Sequence, residues 1–168
     1  EALTNEIEER AWEYVKKIED QGGLVKAISN GWIHREYKQA IVDYYVQRYG
    51  VSLDVATEVL PLIGSKEGIA NMALAWLDPG DLVLTPDPGY PAYRMSALMV
   101  GGQVYDMPLR RENGFLPALA AIPAAVAERA RLMWLNYPNN PTGAIAPMSF
   151  LEEAVGFCRR HDILLCHD

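Results

Sequence analysis

Apolar residues near the amino end of the chain recur at helical spacing. One face of the first segment carries four of them, Ile7, Ala11, Val15 and Ile18. This spacing predicts an amphipathic helix, with Thr4 or Asn5 as its cap and the Gly22-Gly23 pair at its end. A short helix over LVKAI and a third helix over about 35–49 follow. Residues 1–36 are therefore expected to be a helical appendage.

From residue 58 onward, short apolar runs alternate with helical patterns. The predicted strands are EVLPLI (58–63), DLVLT (81–85), QVYDMPL (103–109), RLMWLN (131–136) and ILLCHD (163–168). The predicted helices are 66–77, 91–100, 118–129 and 149–161, and Pro123 is expected to break or to start the third of them. This alternation predicts an α/β fold, a mainly parallel sheet with flanking helices. Ligands bind such sheets beyond the carboxyl ends of the strands, so the loops there are the candidate sites.

Composition and charge exclude several classes of partner. The 168 residues predict one domain, or one domain with an appendage, and a net charge of −7 argues against nucleic acid or an anionic membrane. No apolar run reaches the roughly 20 residues that span a bilayer. Cys158 and Cys166 lie among apolar residues, which is typical of reduced thiols in a cytoplasmic protein. The three histidines are not at metal-ligand spacing with the cysteines, so no metal site is expected.

Two loops after predicted strands could hold a phosphorylated ring. Gly64, Ser65 and Lys66 form a turn before a helix, where free backbone N–H groups bind anions. The alternative is a serine cap beside a solvated lysine. Tyr90 lies in a rigid loop between Gly89 and Pro91, where an aromatic ring can stack on a planar ligand. The alternative is a tyrosine that only packs on the next helix.

Two further loops offer an amide and a carboxylate. Asn140, in NYPNNPTG, follows a buried strand, and Asp168 closes another. The alternatives are an Asx turn for Asn140 and a helix cap for Asp168. One edge of the sheet would then carry an anion-binding turn, an aromatic ring, an amide and a carboxylate. This set suits a planar, phosphorylated, cationic heteroaromatic ligand. Pyridoxal phosphate has this chemistry, because an aspartate keeps its ring nitrogen protonated.

Residues 37–168 resemble the large domain of the class I/II aminotransferases, which are fold-type I pyridoxal-phosphate enzymes. The motifs that carry the resemblance are VLPLIGSKEGI, LDPGDLVL, PDPGYPAY, NYPNNPTG and the strand ending at Asp168. The amino-acid sequences of these motifs are closest to those of the branch that contains LL-diaminopimelate aminotransferase. The resemblance implies that Gly64, Ser65 and Lys66 bind the cofactor phosphate and that Tyr90 stacks on its ring. It also implies that Asn140 binds the phenolic oxygen and that Asp168 pairs with the ring nitrogen.

The resemblance implies amino-group transfer between an amino acid and a 2-oxo acid. The family's Schiff-base lysine lies downstream of the aspartate and is absent from these residues. Lys66 does not replace it, because Lys66 belongs to the phosphate turn. We therefore expect no catalytic residue here, weak and non-covalent binding of pyridoxal phosphate, and no turnover by this chain alone.

Residues 1–36 resemble a helical segment of methylmalonyl-CoA mutase, so we expect a chimeric chain with a boundary at residue 37. Two other functions stay open on the sequence alone, a mutase-related fragment and a non-catalytic α/β module that binds phosphate ligands or assembles with other chains. In the resembled fold, EVLPLI pairs with strands that come later in the sequence than Asp168. We therefore expect this segment to stand apart and to favour self-association.

Overall fold

The computed structural model describes residues 1–168. The chain divides into two compact units, Glu1–Pro61 and Leu62–Asp168, called here the helical unit and the sheet unit. None of the helices in either unit is long and apolar enough to cross a membrane.

The helical unit contains three helices, α1 (Ala2–Asp20), α2 (Leu24–Ser29) and α3 (Trp32–Tyr49). Gly22 and Gly23 turn the chain after α1 with φ angles of 87° and 91°, a region that glycine adopts without steric cost. Gly50 ends α3 in the left-handed conformation, as predicted. The predicted boundary between residues 36 and 37 falls within α3.

The predicted cap of the first helix is wrong. Thr4 and Asn5 lie inside α1, and Glu1 is the cap residue without any side-chain hydrogen bond. The Asn5 N–H donates to the Glu1 carbonyl at 2.9 Å. The first helical turn therefore closes before the predicted cap, since Ala2 and Leu3 are both good helix formers.

The sheet unit contains four parallel strands in the order β2-β1-β3-β4. The strands are β1 (Leu82–Asp87), β2 (Gln103–Pro108), β3 (Ala130–Leu135) and β4 (Leu164–His167). The helices are α4 (Ser65–Trp76), α5 (Pro91–Met99), α6 (Ala124–Ala127) and α7 (Met148–His161). This arrangement confirms the predicted α/β fold with a parallel sheet and flanking helices.

Both faces of the sheet are buried, since alternate residues of each strand enter two different cores. On one face, Leu84 and Met133 pack with Phe150 of α7. On the other face, Val83 and Trp134 belong to a second core. The rest of this second core comes largely from α4 and α5, namely Ile69, Ala73, Tyr93 and Ala97. Covered faces of this kind explain why the strands read as continuous apolar runs.

Residues 58–63 do not form the predicted strand. Val59 is buried, but Leu60 is 75% exposed and Ile63 is 98% exposed, and none of these residues joins a strand ladder. A strand needs a neighbour for its backbone groups. Here the Ile63 N–H instead donates to the Glu67 carboxylate at 2.8 Å.

The predicted helix over 118–129 is interrupted at Pro123, the residue expected to break or to start it. It is broken into a single 3₁₀ turn at Leu119–Ala121 and the one-turn helix α6. Pro123 is the cap residue of α6 in an extended conformation. Because proline has no N–H to continue a helix across it, the segment splits at this position.

We expect amide hydrogen exchange to separate these two regions. The amides of 58–63 should exchange faster than those of 131–136 by a factor of about 100 or more, because β3 is hydrogen-bonded on both sides. Exchange followed by mass spectrometry on the intact chain measures both segments together. Equal protection of the two segments would show that 58–63 pairs in solution with a partner strand.

Candidate functional site

The carboxyl ends of β1, β3 and β4 lie side by side at one edge of the sheet. Leu135 pairs with His167 in the β3–β4 ladder, and the Asp168 N–H donates to the Leu135 carbonyl at 3.0 Å. The Asn136 side chain in turn donates from Nδ2 to the Asp168 backbone carbonyl at 3.0 Å. In the order β2-β1-β3-β4, the strand that follows β1 in sequence lies on one side of β1, and β3 lies on its other side. Ligands bind at such a change of direction in a parallel sheet, so a ligand crevice is expected between the carboxyl ends of β1 and β3.

The Asp168 carboxylate is held by one side chain from a distant part of the sequence. The Tyr93 hydroxyl donates to Asp168 Oδ2 at 2.7 Å. Burial, and then this hydrogen bond, raise the pKa of Tyr93 well above its ordinary value. Tyr93 therefore stays a neutral donor at physiological pH, and Asp168 Oδ1 accepts no hydrogen bond from another side chain.

Tyr93 itself is fixed by packing. Its side chain is only 1% exposed, and its ring stacks on Trp134 of β3 with centroids 4.9 Å apart and planes 12° apart. The Ser96 hydroxyl donates to the Tyr93 carbonyl at 3.1 Å. The donor to Asp168 thus belongs to the rigid core between α5 and the sheet.

Tyr90 is the cap residue of α5, and its ring is half-buried beside the same core. It meets the Tyr93 ring edge-on, with centroids 5.6 Å apart and an interplanar angle of 81°. The Lys66 ammonium lies 5.9 Å from the Tyr90 ring centroid. A groove of about 460 Å³ borders Lys66 and Tyr90 and continues between α4 and α5 as far as Met99.

The start of α4 is an exposed, uncapped helix end. Gly64 is its cap residue and makes no side-chain hydrogen bond. Gly64, Ser65 and Lys66 are all exposed, and a methyl group added at Gly64 would meet no atom within 4 Å. The first N–H groups of a helix have no intrahelical acceptors. Free N–H groups at a helix start are typical of anion-binding turns, and the phosphate-binding role of this turn stays a prediction.

The loop after β3 contains three asparagines, Asn136, Asn139 and Asn140, in different environments. Asn140 is exposed, and its backbone N–H donates to Asn136 Oδ1 at 2.7 Å. Asn139 is 3% exposed and accepts the Thr142 hydroxyl at 2.7 Å, while its Nδ2 group has no partner. The loop thus uses the Asn136 and Asn139 amides for its own turn and presents the Asn140 amide at the surface.

Two residues that the sequence interpretation missed connect the predicted ones. Tyr93 lies between Tyr90 and Asp168, while Asn136 lies between Asp168 and Asn140. A signal for Tyr93 was present, because it follows Tyr90 by three residues at the start of a helix and so shares its face. For Asn136 the sequence contained no comparable signal, because a polar residue directly after β3 indicates only that a loop begins there.

The cysteines and acidic residues show no further reactive centre. Burial raises the pKa of both Cys158 and Cys166 to about 11, so both are thiols and not thiolates at neutral pH. Neither forms a disulfide. No three His, Cys, Asp or Glu side chains are grouped so that they could hold a metal ion.

Comparison with known proteins identifies the family. The sequence profile described as "Aminotransferase class I and II" matches residues 3–168. LL-diaminopimelate aminotransferase of Moorella thermoacetica is 56% identical over 132 residues, which is 79% of this chain and 34% of that protein. This chain therefore spans about a third of the length of such relatives.

Solved structures agree with this result. Substrate-bound BacF from Bacillus subtilis is 46% identical with a TM-score of 0.76, over 78% of this chain and 33% of that one. The aromatic aminotransferase from Pyrococcus horikoshii is 27% identical with a TM-score of 0.76, over 95% of this chain and 42% of that one. The chain therefore belongs to the class I and II aminotransferases.

Proposed function

We propose that this chain forms the cofactor-binding part of a pyridoxal-phosphate-dependent aminotransferase, which moves an amino group between an amino acid and a 2-oxo acid. The observation that carries the proposal is the continuous network from Lys66 through Tyr90 and Tyr93 to Asp168. Membership of the family implies pyridoxal phosphate, which supplies an electron sink for bonds at the amino acid's α-carbon.

Three features of the sheet unit fit this cofactor. The uncapped start of α4 offers N–H groups for a phosphate. The Tyr90 ring is half-buried and supported edge-on by Tyr93, so it offers a fixed aromatic surface. The Asp168 carboxylate keeps one oxygen free of side-chain donors. The donor set is therefore suited to a planar ring with a phosphate at one end and a protonated nitrogen at the other.

Each residue has a separate role in this proposal. Gly64, Ser65 and Lys66 bind the phosphate, and Tyr90 covers one face of the ring and excludes water from it. The Asn140 amide donates to the phenolic oxygen. Asp168 accepts from the ring nitrogen and so holds its proton in place, because an adjacent carboxylate favours the charged form of the ring.

We further propose that binding by this chain is weak and non-covalent and that the chain does not turn over alone. Lys66 is the single lysine among residues 62–168, and it lies in the proposed phosphate turn. No other amine of the sheet unit is available to act as the base that moves the substrate proton. LL-diaminopimelate with 2-oxoglutarate is the first substrate pair to test, and no conversion is expected.

Titration with pyridoxal phosphate, followed by absorbance and tryptophan fluorescence, tests the proposed site. Tyr90→Ala and Asp168→Ala are each expected to weaken binding by about 1–3 kcal/mol, since they remove the stacking surface and a charged hydrogen bond. Tyr49→Ala and Asp43→Ala, which change the same residue types in α3, are expected to leave the affinity unchanged.

Two results would contradict the proposal in different ways. Equal affinities for all four variants would show that the cofactor binds elsewhere or non-specifically. A stoichiometric borohydride-stable adduct at Lys66 with micromolar affinity, located by peptide mapping, would show that binding is covalent and that Lys66 is not a phosphate ligand.

We also propose that residues 1–36 are a separate segment of mutase-like origin that binding does not require. The match to the Moorella enzyme covers 132 of the 168 residues, which leaves room for a separate segment of this length, whereas the family profile begins at residue 3. None of the residues proposed to bind pyridoxal phosphate lies in 1–36. A folded chain that starts at Tyr37 is expected to keep its affinity, and a loss of affinity would refute the proposal.

Self-association is proposed from the exposed apolar surface of the sheet unit. Ile63 is 98% exposed and Met99 is 82% exposed, which is unusual for large apolar side chains in a monomer. Sedimentation velocity over a hundredfold range of concentration is expected to show dimers or larger species. A single monomeric species throughout would contradict it.

A further inference from the structure

We propose that Tyr93 is a positioning residue, whose hydroxyl holds one oxygen of Asp168 so that the other oxygen stays available to a ligand. This inference rests on the proposed function, because the ligand of the free oxygen is the ring nitrogen of pyridoxal phosphate. Tyr93 does not touch the cofactor in this proposal and acts only through Asp168.

The geometry of Asp168 shows why it needs a positioning partner. Asp168 follows the last residue of β4 and its side chain is exposed. Its backbone is held by Leu135 and Asn136, but these contacts leave the carboxylate free to rotate. The Tyr93 hydroxyl, at 2.7 Å, is the single side-chain donor to this carboxylate. Without it, the carboxylate would sample several rotamers, and the loss of that freedom would weaken ligand binding.

Tyr93 is suited to this task because it cannot move easily. Its ring lies parallel to Trp134 at 4.9 Å and is 1% exposed. A buried aromatic ring has few accessible rotamers, so its hydroxyl is a fixed point. The hydrogen bond therefore transfers the rigidity of the core to a side chain at the exposed edge of the sheet.

The same ring also supports the stacking surface. Tyr90 meets Tyr93 edge-on at 5.6 Å, so Tyr93 contacts the two residues proposed to hold the cofactor ring. Tyr93 thereby fixes the distance between the aromatic surface and the carboxylate. A planar ligand must satisfy both contacts together, which makes this distance a determinant of affinity.

The neutral charge of Tyr93 matters as well. A hydrogen bond to the ionised form of a carboxylate stabilises that form. Because Tyr93 stays protonated through burial and through the Asp168 contact, it donates to the carboxylate without adding a positive charge beside it. A cationic donor at the same place would compete with the ring nitrogen for Asp168.

A double-mutant cycle with pyridoxal phosphate as the probe tests the proposal. Tyr93→Phe keeps the stacked ring and removes only the hydroxyl, and we expect it to raise Kd about tenfold. In the Asp168→Asn background, Tyr93→Phe is expected to change Kd by less than about twofold, since a residue that acts through another shows no independent effect. If Tyr93→Phe instead weakened binding by disturbing the fold, it would raise Kd by the same factor in the native and in the Asp168→Asn chain.

A ligand-free measurement shows whether the two side chains are coupled at all. With ¹³Cζ-labelled tyrosine, the NMR chemical shift of the Tyr93 Cζ atom at neutral pH reports the hydrogen bond of its hydroxyl, and Asp168→Asn is expected to change that shift because the carboxylate accepts this hydrogen bond in the native chain. Thr85→Val is the matched control. It removes another hydroxyl-to-carboxylate hydrogen bond, from Thr85 to Asp106 at 3.2 Å, and should change neither Kd nor the Tyr93 ¹³Cζ chemical shift.

The outcomes separate this proposal from the proposed function. If the native chain shows no saturable binding, the proposed function fails, and with it the role of Tyr93. If the native chain binds but the two substitutions are additive, the positioning role alone is overturned. An unchanged Tyr93 ¹³Cζ chemical shift in Asp168→Asn would likewise overturn it, because the hydrogen bond would then be absent in solution.

Discussion

Replacing Trp134 with alanine is expected to lower the free energy of unfolding of the sheet unit by about 3–5 kcal/mol. Trp134 lies in β3, the strand between β1 and β4, and is 5% exposed. Its ring carries the stacked Tyr93 ring at 4.9 Å. The substitution therefore leaves a cavity in the core and releases the donor that holds Asp168.

Urea denaturation followed by circular dichroism measures this effect. Trp76→Ala is the matched control, because Trp76 belongs to α4 in the same unit but is 53% exposed. It is expected to change the unfolding free energy by less than about 1 kcal/mol. Similar losses for the two variants would show that the stack on Trp134 adds nothing to stability. At urea concentrations where Trp134→Ala remains folded, pyridoxal phosphate affinity is also expected to fall.

Gly89→Ala is expected to destabilise the sheet unit by about 1–3 kcal/mol and to displace Tyr90. A Cβ atom at Gly89 would overlap the Pro86 carbonyl oxygen and lie 2.9 Å from Pro86 Cγ. The first contact is with backbone, so the loop itself must shift. Since Tyr90 follows directly, the proposed stacking surface moves away from the carboxylate.

Gly156→Ala provides a control of the opposite sign. Gly156 lies within α7, where a new Cβ would meet the Arg160 guanidinium at 3.4 Å, which is ordinary contact. Alanine is favoured over glycine inside a helix by roughly 0.5–1 kcal/mol, so this variant is expected to be more stable. Thermal unfolding and cofactor titration of both variants test the pair. A Gly89→Ala chain with native stability and affinity would show that the loop is not tightly constrained.

The sequence predicted four of five strands because their apolar runs are long enough to be buried on both faces. It failed at 58–63, which has the same local pattern. A strand exists only where the backbone of an adjacent strand supplies its hydrogen bonds. The apolar pattern of a segment does not indicate whether such an adjacent strand is present. The helix over 118–129 is interrupted for a local reason that the sequence indicated, since Pro123 outweighs the alanine-rich composition around it.

The sequence by itself determined the family, the parallel α/β architecture and the residue types of the proposed site. Motifs, strand–helix alternation and turn glycines are local features, and local steric and hydrogen-bonding rules are enough to interpret them. Only the tertiary structure decided which of these residues meet. Tyr93 and Asp168 are 75 positions apart and become hydrogen-bonded at 2.7 Å because the order β2-β1-β3-β4 brings α5 and the end of β4 to one edge of the sheet. A contact of this kind depends on how whole elements pack, so no local pattern around either residue could have indicated it.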